Sequence, residues 1–179
     1  MNLDWNVVAT ARGGHEFALL TAIGDMGWFE SASTRDVIVG RVEDGRRFLD
    51  ELGARLCQDV RIPASLGHVM TVTRTVELTG EGPHPELEAA VRELARELRT
   101  STYHVRVGVH GRRGTLHAHH LERHLGDVVW DELVRAGQQP HVIFDDPDVV
   151  LQIEVLADRA GIGFIDRSMR ERYPFLRVR

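Results

Sequence analysis

The sequence predicts an α+β protein, with an N-terminal βαββαβ unit followed by a second α/β unit, in a chain of 179 residues. In the first half, short β-branched runs alternate with stretches whose apolar residues recur at helical spacing. Thr79-Gly80-Glu81-Gly82-Pro83-His84-Pro85 is rich in Gly and Pro and punctuates the middle of the chain. A second series of helix and strand patterns follows it. The predicted domains are therefore residues 1–80 and 86–179.

Asn6 to Thr10 reads as a strand, which Gly13-Gly14 ends. His15 to Met26 carries Phe17, Leu19, Leu20, Ile23 and Met26 spaced like the core face of a helix. Trp28 to Ala32 and Asp36 to Val42 read as strands. Asp44 is placed to cap a helix that runs through Phe48, Leu49, Leu52 and Leu56 to about Cys57. His68 to Leu78 reads as one long strand rich in β-branched residues. The order βαββαβ is the split βαβ of ferredoxin-like folds, in which two helices cover one sheet face and the other is left for a partner.

In the second half, Glu86 to Leu98 sets Leu87, Ala90, Val91, Leu94 and Leu98 on one helical face. Tyr103 to His110 alternates as a strand, and Gly111-Arg112-Arg113-Gly114 is a glycine-flanked basic loop. Thr115 is a candidate cap for a helix that Gly126 ends at Leu125, with a short helix expected in Asp127 to Gln139. His141 to Phe144, Val149 to Leu156 and Gly161 to Ile165 read as strands. Asp145-Asp146-Pro147-Asp148 reads as a turn rather than a magnesium site. Tyr173-Pro174-Phe175 lies in a tail read as irregular, its aromatics packing in the core in preference to stacking on bases.

Composition narrows the function. All 22 basic residues are arginine, whose planar fork suits phosphate. The net charge is -5, which argues against indiscriminate nucleic-acid binding and makes any such site local. Two segments are basic, residues 99–124 and 159–179, and together they suggest one binding face. No apolar run is long enough for a membrane span, and the N-terminus has no leader pattern. The single cysteine, Cys57, excludes an internal disulfide and fits a reducing cytoplasm; beside Leu56 it reads as a buried apolar residue rather than a nucleophile.

The chain has no P-loop, dinucleotide fingerprint or nucleophile elbow, so the expectation is a non-enzyme without a cofactor. His117, His120 and His124 fall on one helical face. Three imidazoles are a candidate zinc set, with Glu122 or a water completing it. The spacing is looser than in a His-Glu-x-x-His pair, and a helix that faces RNA phosphate is the preferred reading.

Several stretches of the second half resemble THUMP domains. They are Tyr103-His104-Val105-Arg106-Val107, Leu121-Glu122-Arg123-His124-Leu125-Gly126, Val142 to Val155 with its Asp-Pro-Asp turn, and Ile162-Gly163-Phe164. The first half is then similar, by pattern, to the ferredoxin-like domain that often precedes THUMP. The resemblance implies tRNA binding near the acceptor stem and 3′ end. Because no catalytic domain follows before Arg179, it implies an adaptor for a separate tRNA-modifying enzyme, with the cytidine-acetylation adaptor group as the nearest likeness. Phosphate contacts are expected from Arg106, His110, Arg112, Arg113, His117, His120, Arg123, His124, Arg167, Arg170 and Arg172. The competing readings are a ferredoxin-like dimerisation module without RNA and a metal enzyme built on the histidine cluster.

Overall fold

The computed structural model describes residues 5–79, 84–111 and 117–176. The elements are β1 (Val7–Ala11), α1 (Glu16–Ile23), β2 (Trp28–Ser31), β3 (Val37–Arg41), α2 (Gly45–Gln58), α3 (Arg61–Ser65), β4 (Leu66–Thr71) and β5 (Arg74–Glu77). These are followed by α4 (Pro85–Glu97), β6 (Thr102–His110), α5 (Ala118–Arg135), β7 (His141–Val142), β8 (Val149–Leu156), β9 (Arg159–Asp166) and α6 (Arg167–Arg172).

The first sheet has the order β2-β3-β1-β4 with every pairing antiparallel, which is the ferredoxin-like arrangement. Strand alternation sends Val7, Ala9, Ile38 and Val69 to the helix side, where they meet Leu19, Ile23, Leu49 and Leu52. Asp44 caps α2, accepting hydrogen bonds from the backbone N–H groups of Arg46 and Arg47. Phe17 departs from the predicted face and lies 84% exposed; Leu19 and Ile23 alone of that set are buried. The helix ends at Ile23, so Met26 lies beyond it, and Phe17 sits on its first turn away from the face of Leu19 and Ile23. The short α3, with Pro63 in its first turn, has no counterpart in the sequence reading.

The second sheet face is not free. Val8, Val39 and Met70 form a cluster with Trp5, Val72 and Leu156, so the second unit covers the surface that was expected to await a partner. Every residue of β1 is buried, as a strand covered on both faces must be.

The predicted strand from His68 to Leu78 is two strands. The chain breaks at Val72 and Thr73, and β5 crosses to the other sheet, where Arg74 pairs with Ile162 and Glu77 with Arg159. A uniform β-branched run carries no sign of which sheet accepts it. The second sheet has the order β5-β9-β8-β6-β7, with β6 parallel to both β8 and β7. Helices α4 and α5 cover one face, packing Leu87, Val91, Leu125 and Val129 on Tyr103, Val105 and Ile153.

Gly126 does not end a helix: α5 runs through it to Arg135. A β-carbon at Gly126 would meet nothing within 4 Å. Gly126→Ala is therefore expected to stabilise the protein by about 0.5–1 kcal/mol, seen as a rise in Tm. An unchanged or lower Tm would count against the continuous helix.

The described part of the tail, to Leu176, packs on the first unit. Asp166 caps α6, and Tyr173 and Leu176 are buried in the first unit's core. The Tyr173 hydroxyl donates to Asp50 Oδ1 at 2.7 Å. Phe175 packs beside Tyr173 and Gly53, in keeping with the core role expected of these aromatics. Cys57, read as buried, is exposed at the end of α2. Among the described residues no helix is long and apolar enough to cross a membrane.

Candidate nucleic-acid interface

The eleven predicted phosphate contacts fall into distinct environments. Arg112 and Arg113 lie outside the described residues, as does the Thr115 cap. Arg167, Arg170 and Arg172 are each ion-paired within the protein, Arg167 and Arg172 with side chains still about half exposed. Arg167 faces Asp146 and Asp148 at 3.3 Å each, Arg170 pairs with Asp146 at 3.0 Å, and Arg172 holds Asp50 at 2.8 Å. The Asp-Pro-Asp turn and the tail arginines thus neutralise one another, and these guanidiniums hold the Asp146 and Asp50 carboxyls below their usual range, in Asp50 after Tyr173.

His110 is turned inward. Its Nε2 lies 2.6 Å from the buried Glu154 Oε2. His124 pairs with Glu88 at 3.0 Å, and the Arg106 guanidinium lies 4.0 Å from Glu122. His117 and His120 are exposed with rings 5.4 Å apart, and Arg123 is exposed with no ion pair among the described residues. The three histidines therefore do not converge, and no group of His, Cys, Asp or Glu able to hold a metal ion occurs among the described residues.

What the sequence did not mark is a cleft of about 270 Å³ at the edge of β6. Tyr103, His104 and Val105 line it from the strand, and Glu122, Arg123 and Gly126 line it from α5. Val142 and Phe144 close it. The predicted strand stops at Val142 instead of running to Phe144, because only Thr102 and Tyr103 pair with it. Phe144 is left 73% exposed, with its ring 4.7 Å from that of His104. His104 is 5% exposed, and neither ring nitrogen has a hydrogen-bond partner within the protein. Burial, reinforced by the Arg106 charge, lowers its pKa from the ordinary value, so the imidazole is neutral at neutral pH. Tyr103 donates from its hydroxyl to the Gly126 carbonyl at 2.8 Å, fixing strand against helix. Glu122 accepts from the Val107 N–H at 3.1 Å and so caps the strand edge.

A second feature reaches the first unit. Gly111, at positive φ, lies against the Thr34 side chain in the turn between β2 and β3. Its neighbour Arg35 has a side chain 83% exposed. Gly111 thus touches the turn that carries Arg35, whose guanidinium lies 3.6 Å from Asp36. Only a tertiary contact brings Arg35 there, so no local sequence signal could have found it.

The second unit is thus an α/β unit with a cleft beside a central parallel strand, packed on a ferredoxin-like sheet. Residues 84–164 match the THUMP domain family, and the second unit of this chain is a THUMP domain. No curated protein matches the chain in sequence. Among solved structures it is similar to TrmN from Thermus thermophilus, with 21% identity and a TM-score of 0.58 over 88% of this chain and 44% of that one. PH1313 from Pyrococcus horikoshii aligns with 13% identity and a TM-score of 0.59 over 90% of this chain and 55% of that one. A 4-thiouridine synthetase, solved with RNA and ATP bound, aligns with 15% identity and a TM-score of 0.56 over 90% of this chain and 41% of that one. The chain spans about half the length of these structures or less, and at such identities the likeness is one of fold.

Proposed function

We propose that this chain binds tRNA without catalysing a reaction on it, and serves as an adaptor that presents the acceptor stem and 3′ end to a separate modifying enzyme. Cytidine acetylation is the modification the sequence resemblance favours. The observation that carries the reading is the THUMP domain at residues 84–164, docked so that Gly111, which opens its basic loop, meets Thr34 of the ferredoxin-like unit. Exposed His117, His120 and Arg123 extend that basic surface along the start of α5. The synthetase structure with RNA bound shares this two-unit fold, which supports RNA as the partner class.

The expected phosphate contacts taken forward are Arg112, Arg113, the exposed His117, His120 and Arg123, and the exposed Arg35, which lies 3.6 Å from Asp36. With about four phosphates neutralised, affinity for bulk tRNA is expected to fall on the order of 100-fold between about 50 and about 200 mM salt. Arg112→Ala/Arg113→Ala should weaken binding and make the slope of log K against log salt shallower by about 1–2. Arg170→Ala, whose partner is Asp146, should leave the slope unchanged. Fluorescence anisotropy reads all three. Absence of tRNA binding at low salt would overturn the proposal.

A further inference from the structure

We infer that the groove between β7 and the C-terminal half of α5 docks a protein partner through an amphipathic helix, which sets apolar residues on Trp130, Val134, Val142 and Phe144 and basic residues on the acids around them. This surface gives the adaptor reading a second face, for the enzyme, and does not depend on tRNA binding.

The apolar part comes first. Seven large hydrophobic side chains are exposed among the described residues, and four of them, Trp130, Val134, Val142 and Phe144, fall at this one edge of the second sheet. Single exposed hydrophobes need no explanation, but a contiguous set marks an interaction site. Trp130 and Val134 lie one turn apart on α5, and Gly126, one turn before Trp130, lines the cleft beside Phe144. Val142 is opposite Tyr103, whose hydroxyl donates to the Gly126 carbonyl, so β7 and this stripe of α5 run side by side. Aromatic side chains such as Trp130 and Phe144 are the usual anchors of a protein interface.

Charge selects the occupant. Asp127 and Asp131 on α5, and Asp145 beside Phe144, are exposed, and none has an ion pair among the described residues. Burial, and then the charge of Asp127 and Asp131, push the Tyr103 hydroxyl pKa up, so the field of these acids reaches the cleft. Arg123 marks a change of sign along α5, with His117 and His120 before it and Asp127 and Asp131 after it. The acidic half repels RNA phosphate and an anionic lipid surface. A second copy of the chain would bring the same acids against themselves across a two-fold axis. A partner with basic flanks gains from all of them.

The form of the partner follows from the edge. The N–H groups of His141 and Ile143 donate to carbonyls of Ser101 and Tyr103, so β7 turns only Val142 outward and a partner strand has no ladder to join. A helix needs no ladder. Its apolar residues at every third or fourth position match a groove walled by a strand edge and a helix stripe. The cleft of about 270 Å³ takes its deepest anchor.

The test uses the full chain and a dye-labelled peptide of about four helical turns, with leucine along one face and arginine on its flanks. A second peptide carries glutamate in place of each arginine. Fluorescence anisotropy should show the basic peptide bound with a Kd on the order of 10 µM, and the acidic one at least about 10-fold more weakly. Phe144→Ala and Trp130→Ala, both at exposed positions that do not threaten folding, should each weaken the basic peptide about 5- to 10-fold. Phe17→Ala, at an exposed aromatic of the first unit, should change nothing. Asp127→Asn/Asp145→Asn should weaken binding and flatten its salt dependence. Affinity for bulk tRNA should be the same in Phe144→Ala, Trp130→Ala and the parent.

Failure to bind the basic peptide overturns the inference, as does equal binding of the acidic one or indifference to Phe144→Ala and Trp130→Ala. Loss of tRNA affinity in those two variants would put RNA on this face and overturn it while leaving the tRNA reading intact. A dimer in sedimentation that Phe144→Ala dissolves would assign the face to a second copy and also overturn it. Peptide binding of the expected pattern by a chain that binds no tRNA would support this inference and overturn the tRNA reading alone.

Discussion

Glu154→Ala is expected to destabilise the protein by about 3–5 kcal/mol, the range for removing one partner of a buried charged pair. For a chain of this length that lowers Tm by about 10 °C. Glu154 is 3% exposed at the junction of the two sheets. It accepts from His110 Nε2 at 2.6 Å and from the Gln152 amide at 2.8 Å, and His68 Nε2, itself 2% exposed, lies 3.4 Å away. Alanine would leave the His110 and Gln152 donors unsatisfied. Gly108, directly opposite on β6, leaves room for the carboxylate, since a β-carbon there would collide with it.

The same group makes stability depend on acid. Burial pushes the Glu154 carboxyl up, but hydrogen bonds from His110 and His68 and their charge outweigh it, taking the pKa from 4.5 to about 2. The folded pKa thus lies below the unfolded one. Its contribution, about 3 kcal/mol, is complete above about pH 4.5 and is lost as pH falls toward 2. Other carboxylates are also depressed, Glu132 among its arginines for example. The comparison must therefore be between the parent and Glu154→Gln, by urea unfolding at about pH 5.5 and about pH 3. The parent should lose more stability across that interval. Equal losses would show that Glu154 is not ionised in the fold.

The second large effect comes from Gly163→Ala, expected to cost about 3 kcal/mol and so to lower Tm by several degrees. Gly163 on β9 faces the backbone where β4 ends. A β-carbon there would overlap the Thr71 carbonyl oxygen, with Met70 Cε at 3.3 Å. A side chain can turn aside; a carbonyl held in a sheet cannot. The adjacent hydrogen bond from the Thr73 N–H to the Ile162 carbonyl, at 2.8 Å, ties the two sheets at this crossing. Alanine would force them apart. A Gly163→Ala chain as stable as the parent would contradict the close approach. Gly126→Ala serves as the control, because the same change at an open helical position should stabilise.

Fold was more legible in the sequence than the site was. Local periodicity depends on neighbours a few residues away, so α2, α4, β6 and β8 were readable from Phe48-Leu49-Leu52, from Leu87 to Leu94 and from alternating valines. The Asp145 to Asp148 turn and the capping by Asp44 were readable for the same reason. Gly126 misled, because a lone glycine looks like a stop, although packing of Val128, Val129 and Leu133 carries the helix past it.

Charge was the least legible property. The arginine count in residues 159–179 suggested a binding surface, but Asp146, Asp148 and Asp50 come from distant parts of the chain and neutralise Arg167, Arg170 and Arg172. His110 looked like a surface donor but is turned partly inward by meeting Glu154 across the sheet. The sequence by itself determined the element types, the ferredoxin-like order and the THUMP signature, because each follows from residues close along the chain. Only the tertiary structure decided that β5 joins the second sheet, that the first sheet's open face is covered, and that His104 and Phe144 share a cleft. Those outcomes depend on contacts between residues tens of positions apart, where local spacing carries no information.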